Sequence, residues 1–296
     1  MVEKMWPALK SCKHESYDEL DQLPDDLLLL IISFLMMKPA ARTSVVSHKW
    51  NHLWRCFPVL VFESSSAMRR MIVRNEEAIL QERANFVKWV NGVLESHLGR
   101  TIDEMRVAFH LDSKCQAHID KWVVFALAKQ VKRLKLDITT LLDFGHGYSF
   151  PKWNMSLYQT HNVSCLRYLC LQYVDITTED VDYLLCTCVF LEDLSIISSQ
   201  SLSYVRSACS SPLQLKHLTV AACRQLRTID ILAPKLLSFK HDGNPIELHI
   251  RNAFNLSKVS FGSVRYRGDV LAYAFESFSK YNSQLEYLRG RFDYSA

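Results

Sequence analysis

The sequence predicts an α/β chain in which a small helical module near the N terminus precedes a curved solenoid of stacked parallel strands. Two observations predict this fold class. The stretch from Leu23 to Trp54 is very apolar, and it is too short to bury its own side chains. From Ile102 onward a leucine pattern recurs at the spacing of structural repeats. We expect parallel strands on the concave face and helices and loops on the convex face.

The apolar stretch predicts three short helices. Pro24 suits the first position of a helix, and the two aspartates that follow it place negative charge where the helix dipole favours it. Pro39 can begin a second helix, and Ser47 can cap a third. The first helix is apolar nearly all round, so it needs cover on more than one side. From the residues alone that cover is either another polypeptide or the main domain of this chain.

The order of residues in this stretch resembles the F-box motif of plant F-box proteins. The resemblance runs through Leu23-Pro24-Asp25-Asp26-Leu27-Leu28, Ile31-Ile32-Ser33-Phe34-Leu35, Ala41 to Ser47, Trp50 and Leu53-Trp54. It implies a module that binds a Skp-type adaptor. The residues that it implies for adaptor contact are Leu23, Pro24, Leu27, Leu28, Ile31, Phe34, Leu35, Val45, Trp50 and Leu53.

The recurring pattern has the form L-x-x-L-x-L. Its clearest copies begin at Leu166, Leu191 and Leu215. Weaker copies begin at Ile102, Val131, Leu236, Leu256 and Leu285. Most spacings fall within the leucine-rich-repeat range of about 20 to 29 residues, and the longer interval before Leu166 predicts an inserted loop. One repeat cannot bury its leucine row alone, but a stack of them can.

Segments between the strands should return along the back of the stack, often as helices. Ile119 to Leu127 carries an apolar stripe at helical spacing, and a second stripe from Val181 to Cys188 follows the cap candidates Thr177 and Thr178. A linker helix is predicted over residues 76–98 and a last helix over 269–280. The alternative is a doubly wound α/β sheet. It is less favoured because residues 198–212 look too broken for a crossover helix and no glycine-rich phosphate loop follows a strand.

The patterns divide the chain into four parts. These are a flexible N-terminal tail (1–19), the F-box (20–62), a linker-helix region (63–100) and a leucine-rich-repeat domain (101–296). F-box proteins with such repeats often continue into a further C-terminal domain, whereas this chain ends at Ala296. We therefore expect a shortened isoform as one possibility.

Composition argues against several classes of function. The net charge of +4 is too mild and too dispersed for a nucleic-acid interface. The longest apolar run is shorter than the ~20 residues that a membrane span requires. Nine cysteines without a CxxC pair, in a chain without a secretory pattern, predict free thiols and an intracellular location, in nucleus or cytoplasm.

No catalytic, cofactor or metal site is predicted. The sequence contains no G-x-S-x-G, H-E-x-x-H or P-loop motif. His48, His52 and Cys56 share one helical face, but no fourth ligand follows at a familiar spacing. We therefore expect no bound metal and no cofactor.

Strand positions that alternate with the buried leucines should line the concave face. Their mixture of charged, polar and apolar side chains suits a protein partner, although a merely solvated sheet face is the alternative. The positions predicted to contact a target are Lys135, Tyr168, Gln172, Asp193, Ser195, His217, Thr219 and Lys240.

Together the module and the repeats resemble the plant F-box/leucine-rich-repeat family. That resemblance implies a non-catalytic substrate-recognition subunit of an SCF-type cullin-RING E3 ubiquitin ligase. The Skp-type adaptor would link the chain to the cullin, and the repeats would bind the target protein. The alternative is a leucine-rich-repeat scaffold that joins no ligase. A hydrolase-type α/β enzyme is less favoured, because it would need a buried polar cluster in a pocket.

Overall fold

The computed structural model describes residues 23–24, 27–28, 48–63, 76–139, 147–151, 163–207, 211–263 and 287–292. Nearly all of the described chain belongs to one solenoid of short elements. Its helices are α1 (His48–Arg55), α2 (Glu76–Ser96), α3 (Gln116–Ala128) and α4 (Thr178–Thr187). Single 3-10 turns lie at Ser113–Cys115 and Val163–Cys165.

Among the described residues the main sheet has nine strands, and every neighbouring pair is parallel. In spatial order these are β1 (Val59–Glu63), β2 (Glu104–Ala108), β3 (Arg133–Asp137), β5 (Tyr168–Gln172), β7 (Asp193–Ile197), β9 (His217–Ala221), β11 (Ser238–Asp242), β13 (Lys258–Ser263) and β14 (Tyr287–Phe292). The other strands are β4 (Tyr148–Ser149), β6 (Val174–Asp175), β8 (Tyr204–Arg206), β10 (Thr228–Leu232) and β12 (Glu247–Arg251).

The predicted leucine-rich-repeat solenoid is confirmed. Each copy of the leucine pattern supplies one strand of the main sheet, and strand order follows chain order without reversal. Leu134, Leu169, Leu194 and Leu218 lie in register on adjacent strands and are almost completely buried. A doubly wound sheet would instead reverse its strand order at a switch point. The stacked leucine row is therefore the continuous core of the protein.

The convex layer changes along the solenoid. Helices α2, α3 and α4 cover the N-terminal repeats of the solenoid, whereas β8, β10 and β12 form a second, three-stranded parallel sheet behind later repeats. The sequence predicted helices and loops on the convex face, and this second sheet differs from that prediction. Extended chain covers about 3.3 Å per residue and a helix about 1.5 Å. The repeats that carry β8, β10 and β12 are the shortest between described strands of the main sheet, so an extended return segment spans the back where a helix would not.

The predicted helices within the described residues are confirmed. All five residues of the first predicted stripe, from Ile119 to Leu127, are the buried residues of α3. The Thr177 hydroxyl accepts a hydrogen bond from the Asp180 amide at 3.3 Å and caps α4. The amides of Leu27 and Leu28 both donate to the Pro24 carbonyl at 3.1 Å, as expected where a helix starts.

The helix expected as a linker is an integral part of the solenoid. In α2 the Phe86 ring stacks on Phe109 at 4.1 Å between centroids and meets Trp122 edge-on at 6.4 Å. Phe86 and Phe109 are both buried. The predicted domain limits stay predictions, and the predicted helices over 269–280 and after Pro39 lie outside the described residues.

No helix among the described residues is both long enough and apolar enough to cross a lipid bilayer. The sequence predicted free thiols throughout, but the structure differs from this prediction at Cys186, which is disulfide-bonded. Six other described cysteines are free, namely Cys56, Cys115, Cys165, Cys170, Cys188 and Cys223.

Candidate functional site

Two surfaces are candidates for binding other proteins: the helical module and the open face of the main sheet. In the module, Leu27 leaves 47% of its side chain exposed, which is high for a leucine beside a core. Pro24 is also exposed, and Leu23 is half-buried. The Lys49 ammonium donates to the Leu23 carbonyl at 2.6 Å and ties this exposed edge to α1.

Three of the residues predicted to contact an adaptor are buried within the chain itself. Leu28, Trp50 and Leu53 are 0%, 4% and 3% exposed and belong to the hydrophobic core. In the chain on its own they therefore pack within the module, and their contact with an adaptor stays a prediction. An apolar pattern does not say which polypeptide covers a side chain. Ile31, Phe34, Leu35 and Val45 lie outside the described residues, and adaptor contact stays a prediction.

The module is joined to the solenoid by a dense set of hydrogen bonds. The Arg55 guanidinium donates to the Ser96 carbonyl at 2.8 Å, and the Leu98 amide donates to the Arg55 carbonyl at 2.7 Å. The His97 Nε2–H donates to the Phe57 carbonyl at 3.1 Å. Strand β1 then follows α1 directly and pairs with β2. These bonds fix the end of the module to the first coil, and no sequence motif predicted them.

Two buried histidines at this end of the solenoid should make the protein acid-sensitive. Burial lowers the pKa of His97 and of His110 below the ordinary histidine value of about 6.5, with further lowering from Lys129 and Arg83 respectively. Below about pH 6.5 the unfolded chain therefore binds more protons than the folded chain. We expect the free energy of unfolding to hold above that pH and to fall as the pH decreases toward 5.5, measured by urea denaturation.

His97→Gln provides the control for this pH dependence. Its amide can still donate to the Phe57 carbonyl, but it cannot take up a proton. The variant should lose less stability than wild type between pH 7 and 5.5. If the free energy of unfolding fell equally with pH in both proteins, His97 would not contribute to the acid sensitivity.

The open sheet face consists of three rows of side chains that run across the strands. Adjacent strands are in register, so each row is made of residues at equal positions. The first row contains Arg133, Tyr168, Asp193 and His217. The second contains Lys135, Cys170, Ser195, Thr219 and Lys240. The third contains Asp137, Gln172, Ile197, Ala221 and Asp242. The structure thus brings all eight predicted target-contact residues onto one face.

Several side chains of the first row make close charged or polar contacts within the chain. The Arg133 guanidinium lies 4.4 Å from the centroid of the Tyr168 ring and 3.4 Å from the Glu104 carboxylate. Burial, with Cys170 nearby, raises the pKa of Tyr168 to about 12. Burial also raises the pKa of Asp193, although His217 and Arg133 oppose the shift. The His217 ring is 2.7 Å from the Ser238 hydroxyl. Arg133, Tyr168 and His217 in this row therefore already have partners within the chain.

The second row retains cations that the chain does not neutralise. Within the described part of the chain, Lys135 and Lys240 take part in no ion pair. By contrast, Arg106 in the same row pairs with Glu63 at 3.2 Å. The residues between the two lysines are uncharged. The second row can therefore still accept negative charge from a partner.

No grouping of three or more histidine, cysteine or acidic side chains that could hold a metal occurs among the described residues. His52 and Cys56 are 3.9 Å apart between Nε2 and Sγ. The side chain of His48 lies outside the described set. The arrangement thus offers two candidate surfaces for binding other proteins, both attached to one core.

This architecture defines a leucine-rich-repeat protein with an N-terminal helical module, and comparison with known proteins gives both parts a family. The F-box domain model matches residues 20–62, and the model described as At1g61320/AtMIF1, LRR domain matches residues 93–291. The chain therefore belongs to the plant F-box/leucine-rich-repeat protein family.

Three relatives from Arabidopsis thaliana are similar to between 45% and 85% of this chain. F-box protein At3g03040 is 28% identical over 75% of the chain and 50% of its own length. F-box/FBD/LRR-repeat protein At4g00160 is 28% identical over 85% of the chain and 53% of its own length. F-box/LRR-repeat protein At3g58900 is 35% identical over 45% of the chain and 39% of its own length. The chain spans about half the length of the first two relatives.

Proposed function

We propose that this chain is the substrate-recognition subunit of an SCF-type cullin-RING E3 ubiquitin ligase. The F-box binds a Skp-type adaptor, and the leucine-rich repeats bind the protein to be ubiquitinated. The observation that carries the proposal is an F-box match and a repeat match on one chain, the first ending where the main sheet begins. The chain works inside the cell and needs no cofactor.

Its contribution is to hold two proteins at a set distance. A lysine of the bound target is kept close to a ubiquitin-charged enzyme, which raises its effective concentration without new chemistry. No residue of this chain has to act as acid, base or nucleophile. The bonds among Arg55, Ser96, Phe57 and His97 support this role, because a rigid junction preserves the direction in which the target is presented.

Leu27→Asp tests the proposal at the adaptor end. Burying a leucine in an interface contributes roughly 1.5–3 kcal/mol, and an aspartate there also loses hydration. We expect the variant to lose at least about tenfold in affinity for a purified Skp-type adaptor, measured by titration calorimetry. Combining it with Ile31→Asp should abolish co-purification.

Leu80→Asp is the matched control. Leu80 is 43% exposed on α2, close to the 47% of Leu27, and lies in the solenoid. It should bind the adaptor as wild type does, with an unchanged thermal unfolding midpoint. If wild-type protein binds no Skp-type adaptor, the chain is a scaffold outside the ligase, and the proposal fails.

A further inference from the structure

The middle of the open sheet face is an uncharged floor, and at each end of it the second row carries a lysine and the third row an aspartate. Between β3 and β11, the second and third rows consist of Cys170, Gln172, Ser195, Ile197, Thr219 and Ala221. None of these side chains carries a formal charge in its ordinary state. Cys170 and Ala221 are only 3% and 8% exposed. The floor is therefore low and uncharged, and the larger residues of the first row border it on one side.

Lys135 and Lys240 stand at the two ends of this floor, in the same row. The register runs from Lys135 through Cys170, Ser195 and Thr219 to Lys240. Four strand spacings of about 4.8 Å separate their backbones by about 19 Å. Lys240 is exposed and Lys135 is half-buried. Both lack an internal ion pair within the described residues.

This distance matches an extended peptide that crosses the strands. Six residues of extended chain span about 20 Å at about 3.3 Å each. An even separation also places both end side chains on the same side of the peptide. Two acidic residues at positions i and i+6 can therefore reach both lysines together. The residues at i+2 and i+4 would then face the floor around Ser195 and Ile197.

The surrounding charges favour isolated carboxylates over a polyanion. Asp137 and Asp242 lie in the third row, two positions along the strand from Lys135 and Lys240 respectively. They would repel a continuous run of phosphates, whereas single carboxylates can sit on the lysine side. A nucleic-acid strand would also need aromatic stacking platforms and a longer basic track. The floor between the lysines offers neither.

We propose that the target segment is an extended peptide that carries two acidic residues six positions apart and lies across the sheet face between Lys135 and Lys240. This inference rests on the proposed function, because it names the kind of target that the repeats bind. The acidic ends contact the two lysines. Small or apolar residues between them pack on Ile197 and Ala221.

A displayed library of random twelve-residue peptides, selected on the purified full chain, tests the proposal. Wild type should enrich Asp or Glu pairs at a separation of six. The double variant Lys135→Glu, Lys240→Glu should enrich Lys or Arg pairs at that separation, and should bind the wild-type peptides at least about tenfold more weakly. Each single variant should change the preference at one end only.

Lys88→Glu with Lys121→Glu is the control of equal charge change. Both lysines are exposed on convex helices α2 and α3, away from the sheet face, and the acidic pairs should persist. Selection without acidic pairs, or acidic pairs that survive reversal of Lys135 and Lys240, would overturn the inference. Adaptor binding is read separately by co-elution. If wild type selects acidic pairs but binds no adaptor, the inference stands and the proposed ligase role fails.

Discussion

Leu194→Asp should prevent the chain from folding. Leu194 is 2% exposed in the centre of the main sheet, in register with Leu169 and Leu218. The substitution removes roughly 1.5–3 kcal/mol of burial and places a carboxylate in an apolar core at a cost of several kcal/mol. That sum is comparable with the ~5–15 kcal/mol that keeps a typical domain folded. Soluble yield and the circular dichroism spectrum measure the result.

Ser195→Asp is the control, one position along the same strand. Its side chain is half-buried on the open sheet face, so the added charge can remain hydrated. We expect the variant to fold and to change the unfolding midpoint by a few degrees at most. Equal damage from both substitutions would contradict the alternation of buried and open positions on which the solenoid depends.

Trp122→Ala should be the most destabilising truncation on the convex side. The side chain is 1% exposed, meets Phe86 edge-on, and donates from Nε1 to the Asn91 amide oxygen at 2.7 Å. Truncating a buried tryptophan costs about 3–5 kcal/mol, and here Asn91 also loses a hydrogen-bond partner. Urea denaturation should show a loss in that range.

Lys121→Ala changes the neighbouring exposed residue of the same helix and should alter stability by less than about 0.5 kcal/mol. A similar small loss for Trp122→Ala would mean that α3 is not fastened to α2. The core of the convex layer would then have to lie elsewhere.

The leucine pattern predicted the main sheet well because it reflects both the alternation of side chains along each strand and the repetition of the strands. Alternation along a strand sends Leu169 and Leu171 into the core, and repetition of that pattern places the next leucines beside them. The rows of the open face follow from the same alternation. Ion pairs within a row, such as Arg133 with Glu104, depend on cross-strand register, and single repeats do not carry that information.

The strands of the convex layer could not be predicted in the same way. Tyr204–Arg206 is too short to show a period, and the alternation of polar and apolar residues in Glu247–Arg251 lies outside the L-x-x-L-x-L pattern that predicts the main strands. The available signal was the shortening of the later repeats, which leaves too few residues for a helix. His241 shows a related limit, since it fills an inward position where other repeats carry an apolar residue. Its ring nitrogens lie 3.0 and 2.8 Å from the Val220 and Asn244 carbonyl oxygens.

The module illustrates the difference between an apolar residue and an exposed one. Leu27 and Leu28 are adjacent leucines, yet one is 47% exposed and the other fully buried. Helical periodicity separates such neighbours only when the direction of the core is known. The sequence predicted that the module is apolar, and the structure shows that Leu27 is exposed whereas Leu28 is not.

The proposed role requires that the chain binds a Skp-type adaptor and, through it, a cullin-RING core. Its most direct test is mass photometry of the purified chain mixed with a Skp-type adaptor and a cullin-RING core. We predict a single assembly whose mass is the sum of its parts, lost with Leu27→Asp and retained with Ser195→Asp. A chain that stays separate from an adaptor-bound cullin, or that assembles equally well with Leu27→Asp, would contradict the account.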